Sequence, residues 1–521
     1  MTDEPSTPSG DVPDDDGSAE DSITEGGLLR PLFRLAWPIV VIQLLQVTYN
    51  VVDTLYLGRL SAEAVGAISL AFPLIFLLIA VAGGFTTAGA ILVAQYTGAK
   101  GDESAGLVAG QTIVTVAVLS VFIGIGGYFY TRPALALLPS DAETAATVIP
   151  LAADYMEVIF LGIPLMFGFF VFSALMRGYG DTRTPMAVMF VSVLLNVLLD
   201  PFLIFGFADN PLFGWLASLP GAGALESVAL DPIALEASLL AATGFAGYGV
   251  EGAALATILS RGVATGIGIW ALFATDLGPD VGLADLRPDL AFIGDISRLG
   301  LPSSVEQTTS ALAMITLTAM VVTFSPPVVA AYGLGNRLIS LVFLPAMGLG
   351  RAIDTMVGQN LGADRADRAG RAVRVAATTG AGVMFLVAVV AATFTEPIVS
   401  VFLGDVPDAP ATVSYAAEYV RIRSVEFAFI GVSQVILGAF RGAGNTKTAM
   451  VISVLTLWVG RVASVGYLVF VAGWGATGVW VGMALGNVLG AVVGVAWFSR
   501  GTWANRYIEE PAPGVDSVGE D

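Results

Sequence analysis

The sequence predicts an all-α integral membrane protein of twelve transmembrane helices, arranged as two pseudo-symmetric six-helix bundles. Three observations predict it. The first is composition: 55% of the 521 residues are hydrophobic and 13% are charged, about half the charged share of a soluble domain. The second is a set of long uncharged runs, among them 64–99, 104–131, 158–176 and 462–499; a helix crosses the hydrocarbon with about 20 apolar residues. The third is an internal repeat at one offset. Gln95, Gly98 and Ala99 recur as Gln359, Gly362 and Ala363. Arg177, Gly178, Gly180, Thr182 and Thr184 recur as Arg441, Gly442, Gly444, Thr446 and Thr448. Pro38 recurs as Pro302, and Tyr155 as Tyr419. Every pair is separated by 264 residues, the signature of a duplicated unit.

The remaining elements follow in order. The sequence lacks the alternating ten-residue segments of a β-barrel, and hydrocarbon offers the backbone no hydrogen bonds, so the spans must be helical. They are predicted at about 32–57, 65–96, 106–130, 151–176, 185–207 and 247–274, then 297–324, 328–360, 371–395, 415–440, 447–471 and 475–500. Gly247, Gly249 and Gly252 recur as Gly473, Gly475 and Gly478 at an offset of 226, so the first half carries a 38-residue insertion at about 208–246. Its acidic, Gly- and Pro-containing composition predicts an exposed loop with a short helix. The chain thus divides into an acidic tail (1–27), a first bundle (28–274), a linker (275–296), a second bundle (297–503) and a second acidic tail (504–521). Loops after even-numbered helices hold eleven Lys and Arg, whereas those after odd-numbered helices hold Arg59 and Arg132. By the positive-inside rule both termini are cytoplasmic and the insertion external. An even helix count per half makes the repeats parallel, related by an axis along the membrane normal.

Charge and the rarer residues limit the chemistry. Net charge is −20, and 14 of the excess acids sit in residues 1–25 and 509–521, which read as disordered tails. Two lysines against 21 arginines, with the acid excess, suggest a salt-loving source organism. No signal peptide of basic-then-apolar form opens the chain. Cysteine and histidine are absent, which removes disulfides, thiolate sites and the usual proton shuttle. Proton or cation chemistry must rest on carboxylates, and an intramembrane enzyme is disfavoured.

Ionisable groups inside membrane helices are expensive and therefore candidates for function. On helix 1, Gln46, Tyr49, Asn50 and Asp53 share one face by their i, i+3, i+4, i+7 spacing. Helix 5 carries Asn196 and Asp200 one turn apart, followed by Pro201, which frees a carbonyl one turn back. Helix 6 offers Thr257. Counted along their helices, Asp53, Asp200 and Thr257 fall in the same half of the membrane, so one cluster is geometrically allowed. Its two carboxylates, with amide and hydroxyl oxygens, suit Na⁺ at Asp53, Asn196 and Asp200; two repelling carboxylates would equally hold a proton. The plainer alternatives are an interfacial carboxylate for Asp53, interhelical hydrogen bonding for Asn196 and Asp200, and a backbone-bonded hydroxyl for Thr257.

The second half is not equivalent. Asp53, Asn196 and Asp200 align with Leu317, Gly460 and Ser464. Instead it offers a possible polar site at Glu306, Gln307 and Glu426. Glu306 suits a cap or a loop-arginine partner, Arg351 and Asp354 suit a neutralised pair, and Glu426 suits either a cavity or Arg423. In the repeated Arg-Gly-x-Gly-x-Thr turns, the glycines allow a tight turn and the threonine is expected to cap the next helix.

Taken together, Trp37-Pro38, Asp53-Thr54 with Gly58-Arg59, the Gln95–Ala99 and Arg177–Pro185 segments with their repeats, and Asn196-x-x-x-Asp200-Pro201 resemble the multidrug and toxic compound extrusion (MATE) family, in its DinF-like prokaryotic branch; with the composition, a halophilic archaeal source is expected. The resemblance covers about 28–503. It implies two bundles around a central cleft that opens alternately to each side, and export of amphipathic, often cationic small molecules against an inward H⁺ or Na⁺ gradient, without a further cofactor. It implies a cation-coupling site at Asp53, Asn196, Asp200 and Thr257, neighbours at Gln46, Tyr49 and Tyr155, and a bend of helix 1 at Pro38; with Asn50, those three neighbours are the expected substrate and cavity residues. The expected partners are those solutes and the lipid bilayer, with no nucleic acid, for a monomer in the cell membrane. The alternative function is a lipid-linked oligosaccharide flippase of a related family.

Overall fold

The computed structural model describes residues 23–136, 142–218, 231–403 and 409–508. The first half consists of α1 (Leu29–Leu60), α2 (Ala62–Gly98), α3 (Asp102–Leu135), α4 (Ala142–Tyr179) and α5 (Arg183–Phe205), two short helices α6 (Pro211–Ser218) and α7 (Pro232–Thr243), and α8 (Val250–Ala274). The second half comprises α9 (Leu290–Val321), α10 (Pro326–Gly362), α11 (Ala366–Thr393), α12 (Thr395–Leu403), α13 (Ala409–Ser424), α14 (Phe427–Gly442), α15 (Thr446–Val454), α16 (Ser464–Gly466) and α17 (Gly475–Phe498). Ten of the described helices are long and apolar enough to cross a membrane, and the pair α13–α14 makes an eleventh span. The twelfth predicted span forms as the 32-residue α9, which carries Asp295, Arg298, Glu306 and Gln307 and is not among those ten.

Four local features differ from expectation. The span over 415–440 is broken between α13 and α14 with a 52° bend. The span over 447–471 turns π-helical at Leu455–Ala463 and again at Tyr467–Val471. The insertion holds two short helices rather than one, anchored by buried Asn210, whose amide donates to Pro201 O at 2.9 Å and Gly206 O at 2.8 Å; residues 219–230 lie outside the described residues. The linker is shorter than predicted because α9 begins at Leu290, and Gln111 of α3 holds it through bonds to Asp285 O, Arg287 O and Asp289 N.

The tails are not wholly free either. Arg368 donates to the carbonyls of Ile23, Glu25, Gly26 and Gly27, and Tyr507 N donates to Gln95 Oε1 at 2.8 Å. Both ends of the described chain therefore pack at one end of the bundle. Residues 1–22 and 509–521, most of the predicted tails, are outside the described residues.

At this same end the halves are joined. α2 packs along α9 and α10, and α1 along α10. Gly84 lets α2 approach the Ser304 backbone of α9, where Ser304 Oγ donates to Val81 O at 2.5 Å. Two glutamines then repeat the same bond across the pseudo-twofold axis. Gln95 Nε2 donates to Gly442 O at 2.9 Å, and Gln359 Nε2 donates to Gly178 O at 2.9 Å. Each donor and each acceptor is separated from its counterpart by the repeat offset. Arg351 and Thr87, also a repeat pair, meet at 3.4 Å. In the repeated turns the cap is the residue before the threonine, contrary to expectation: Asp181 Oδ1 accepts from Arg183 N at 2.8 Å, and Asn445 Oδ1 accepts from Thr448 N at 3.4 Å. An Asp or Asn side chain reaches the first free N–H groups of the following turn. Thr182 serves elsewhere, donating to Arg34 O at 3.4 Å, the carbonyl one turn before Pro38.

Losing one partner of a buried hydrogen bond costs about 1–3 kcal/mol, and about 1.4 kcal/mol is a factor of ten. The joined end is therefore expected to open more often when Gln95→Ala and Gln359→Ala are combined. Ala94 faces Gly358 across the joint, so the rate at which a water-soluble maleimide labels Ala94→Cys measures this; it should rise by about tenfold or more in the triple variant over Ala94→Cys alone.

Candidate cation site in the first half

The polar stripe of α1 faces α5 and α8 inside the first half. Asp53, Asn196, Asp200, Thr257 and Arg261 are all buried, Asp200 completely. Asn196 Nδ2 donates to Asp200 Oδ1 at 3.3 Å, one helical turn away, and the Asp53 carboxyl lies within electrostatic reach of that of Asp200. Tyr155 of α4 is buried within electrostatic reach of both. These residues of the candidate site come from α1, α4, α5 and α8, which pack on one another.

Its hydrogen bonding is incomplete in a patterned way. Asp53 Oδ1, Asn196 Oδ1, Asp200 Oδ2 and Thr257 Oγ1 are shut off from solvent and have no partner. Buried polar atoms are nearly always satisfied. Here every orphan is an oxygen, and all come from the predicted set. Thr257 contradicts the plainer expectation for a membrane threonine, which Thr48, Thr54 and Thr112 follow by donating to their own backbone one turn back. Oxygen ligands from carboxylate, amide and hydroxyl groups are what a hard monovalent cation takes, and the same carboxylates can hold a proton.

The sequence reading missed Arg261. It lies on α8 one turn beyond Thr257, the single charge in the interior of that span. Nη2 donates to Gln46 Oε1 at 2.6 Å and Nη1 contacts Met189 Sδ at 2.8 Å. The guanidinium lies 5.4 Å from the Tyr49 ring centroid and 5.1 Å from that of Phe169, within cation–π range. Gln46 and Tyr49 therefore orient a cation rather than facing open space. One arginine beside two carboxylates leaves one negative charge when both are ionised, which a single monovalent cation cancels.

The other candidates fall elsewhere. Asn50 is half-buried on the same face of α1. Pro38 is buried inside an α1 that runs unbroken through it. Glu306 meets a turn arginine: Arg441 Nη1 donates to its Oε1 at 2.9 Å and Ser453 Oγ at 3.1 Å. Arg441 also reaches Asp354 at 3.4 Å, which Arg351 meets at 3.5 Å, so the expected Arg351–Asp354 pair belongs to a larger network at the joint. Gln307 packs against Gly83 of α2. Glu426 is ion-paired with Arg423. The second-half candidates do not form one site: Glu306 and Gln307 serve the joint, and Glu426 lies in a separate cluster. Among the described residues no three His, Cys, Asp or Glu form a metal-binding group.

A two-part helical bundle, joined at one end and lined inside one half by carboxylates, defines a membrane transporter. The MatE family model matches residues 38–202 and 302–465, two stretches whose starts differ by the repeat offset. The chain belongs to this family and is not an enzyme. It is 26% identical over 481 residues to YpnP of Bacillus subtilis, a probable multidrug resistance protein, covering 92% of this chain and 97% of that one. It is 25% identical over 480 residues to NorM of Thermotoga maritima, described likewise, covering 92% and 94%. Among solved structures, a MATE protein in complex with MaL6 superposes with a TM-score of 0.78 at 23% identity, covering 93% of this chain and 98% of that one. A MOP-superfamily transporter from Pyrococcus furiosus gives 0.76 at 23% identity, covering 93% and 97%. The two solved structures establish a shared fold.

Removing one partner from a buried charge arrangement costs about 3–5 kcal/mol. Arg261→Ala is therefore expected to lower the thermal midpoint of the detergent-solubilised protein by several degrees. Adding Asp53→Asn should recover part of the loss, since neighbours in one network are not additive; thermal unfolding of the two single variants and the double variant measures the coupling.

Proposed function

We propose that this protein is a secondary active efflux transporter that exports amphipathic, often cationic small molecules by alternating access, driven by inward movement of H⁺ or Na⁺. It sits in the cell membrane as a multi-pass monomer with both termini cytoplasmic, so the joined end faces the cytoplasm. We assign it to the DinF-like branch, with a halophilic archaeal source, because the motif set Asp53, Asn196-x-x-x-Asp200-Pro201 and Thr257 is complete in the first half.

The observation that carries this reading is the set of four unpartnered buried oxygens on the packed helices α1, α5 and α8. Cation entry gives Asp53 and Asp200 the charge they lack. Because Arg261 already offsets one carboxylate, one monovalent cation per cycle suffices. Alternating access then follows from differential affinity: the ion binds the conformation in which these oxygens converge more tightly than the one in which they separate. The multidrug descriptions of YpnP and NorM support the substrate class.

The test is efflux of a cationic dye from proteoliposomes under Na⁺ and pH gradients imposed separately. Wild-type protein is expected to accelerate efflux under one gradient, and Asp200→Asn to reduce the driven component to background. Wild-type rates in Asp200→Asn would overturn the assignment.

A further inference from the structure

The second half holds a buried polar cluster of its own that the proposed cycle does not use. Arg423 and Glu426, both fully buried, form an ion pair where α13 breaks from α14. Arg423 Nη1 also donates to Tyr419 OH at 2.8 Å, and Tyr419 OH donates to Asn336 Oδ1 at 2.6 Å. Tyr419 packs edge-on against Trp480 with ring centroids 4.7 Å apart, and Tyr332 stacks on Trp480 at 6.4 Å. Arg461 projects from the π-helical stretch Leu455–Ala463 and lies within electrostatic reach of Arg423, Glu426, Tyr419 and Tyr332.

The charge of this cluster does not close. Two arginines face one carboxylate. Among the described residues the Arg461 side chain takes part in no ion pair, and its Nε is shut off from solvent without a partner. The Trp480 indole N–H, fully buried, is also unpartnered. An indole N–H can only donate and a guanidinium offers five donors and no acceptor, so both lack an acceptor; the unpartnered Oε2 of Glu426, buried in the same cluster, accepts from neither. An arginine without counter-charge inside a membrane is costly. π-Helical segments recur at functional sites, and this one carries the unpaired arginine.

We propose that the second half binds a small monovalent anion, a halide or a carboxylate, between Arg461, Arg423 and Trp480. The anion supplies the missing counter-charge and accepts from the two orphaned donors. The remaining oxygen of Glu426 keeps a dianion such as sulfate unfavourable by repulsion. The two halves are thereby complementary: the first, with two carboxylates and one arginine, is short of a cation, and the second, with two arginines and one carboxylate, is short of an anion.

The experiment uses the full chain in detergent with Na⁺ held constant, so that the first-half site is untouched. Chloride or formate is exchanged against gluconate, which is too bulky to enter, and the thermal midpoint is followed. A ligand that binds the folded state alone raises stability as RT ln(1 + [L]/Kd), so a rise that grows with the logarithm of chloride concentration, formate concentration or both is expected; the arm that responds names the chemistry. Asp200→Asn should retain the rise and Arg461→Gln should lose it. A rise that is absent, or that is unchanged in Arg461→Gln, overturns the proposal. Should Arg461→Gln fail to fold, iodide quenching decides: wild-type protein should show a saturable quenched component that Trp480→Phe lacks, and identical quenching of the two would be equally fatal.

Discussion

Hydrocarbon supplies neither counter-charge nor hydrogen bonds, so a charge placed in a membrane helix has to be answered by another helix or by a ligand. The interior of this protein is organised by that demand. Most of its buried charges fall into three groups at helix crossings. At the joint, Glu306 and Asp354 are answered by Arg441 and Arg351. In the first half Asp53 and Asp200 outnumber Arg261, and in the second Arg423 and Arg461 outnumber Glu426. Each group retains unpartnered buried atoms: oxygens in the first half, Arg461 Nε, Trp480 Nε1 and one Glu426 oxygen in the second, and the Nε of Arg177 beside the joint.

Duplication explains which features the halves share. Gln95 and Gln359 make equivalent bonds because both stand at the axis, where each half must satisfy the other's turn. Away from the axis the repeat has no such obligation, and the two interiors differ reciprocally. Asp53, Asn196 and Asp200 are replaced by Leu317, Gly460 and Ser464. Conversely Arg423, Glu426 and Arg461 stand where the first half has Ile159, Gly162 and Val197. Tyr155 and Tyr419 keep their place in both, one beside carboxylates and the other bonded to an arginine. The scaffold is common and the sign of the charge is not.

Most of the fold was legible because a bilayer fixes helix length and polarity together, and because one offset aligned the halves. The first-half cluster was legible for the same reason: a polar stripe on α1 can only face other protein. What stayed hidden depends on contacts that periodicity does not encode. The break at Glu426 and the π-helical turns arise from how α13 to α17 pack around a charge pair. Arg261 was overlooked because a lone arginine in an apolar span says nothing of its partner until Gln46, Tyr49 and Met189 surround it. The acidic composition of 1–27 predicts disorder, yet Ile23–Gly27 docks because Arg368 gathers four of its carbonyls. Composition describes what a segment can do alone, and here a distant arginine decides.

Helix α1 is the element through which the first-half cluster reaches the joint. α5 and α8 pack chiefly on α1, α4 and each other, whereas α1 also lies along α10 of the other half, with Ala36 and Val40 against Gly348. From Ala36 to Asp53 along a helix is about 25 Å, so one rigid rod carries a carboxylate at one end and the joint at the other. Pro38 stands beside that joint. As a proline it leaves the Arg34 carbonyl without its usual helical partner, and Thr182, from the repeated turn between α4 and α5, donates to that oxygen. The bond that steadies α1 at its weakest point thus comes from a turn whose glycines Gly178 and Gly180 both lie against Gln359. Opening the joint withdraws Gln359 from this turn and loosens the support of α1 at Pro38 in the same movement. In the proposed cycle, a helix held straight by the closed joint and released to bend on its opening would be a two-state element biased by both the joint and the charge at Asp53, which is the physical requirement for coupling two sites.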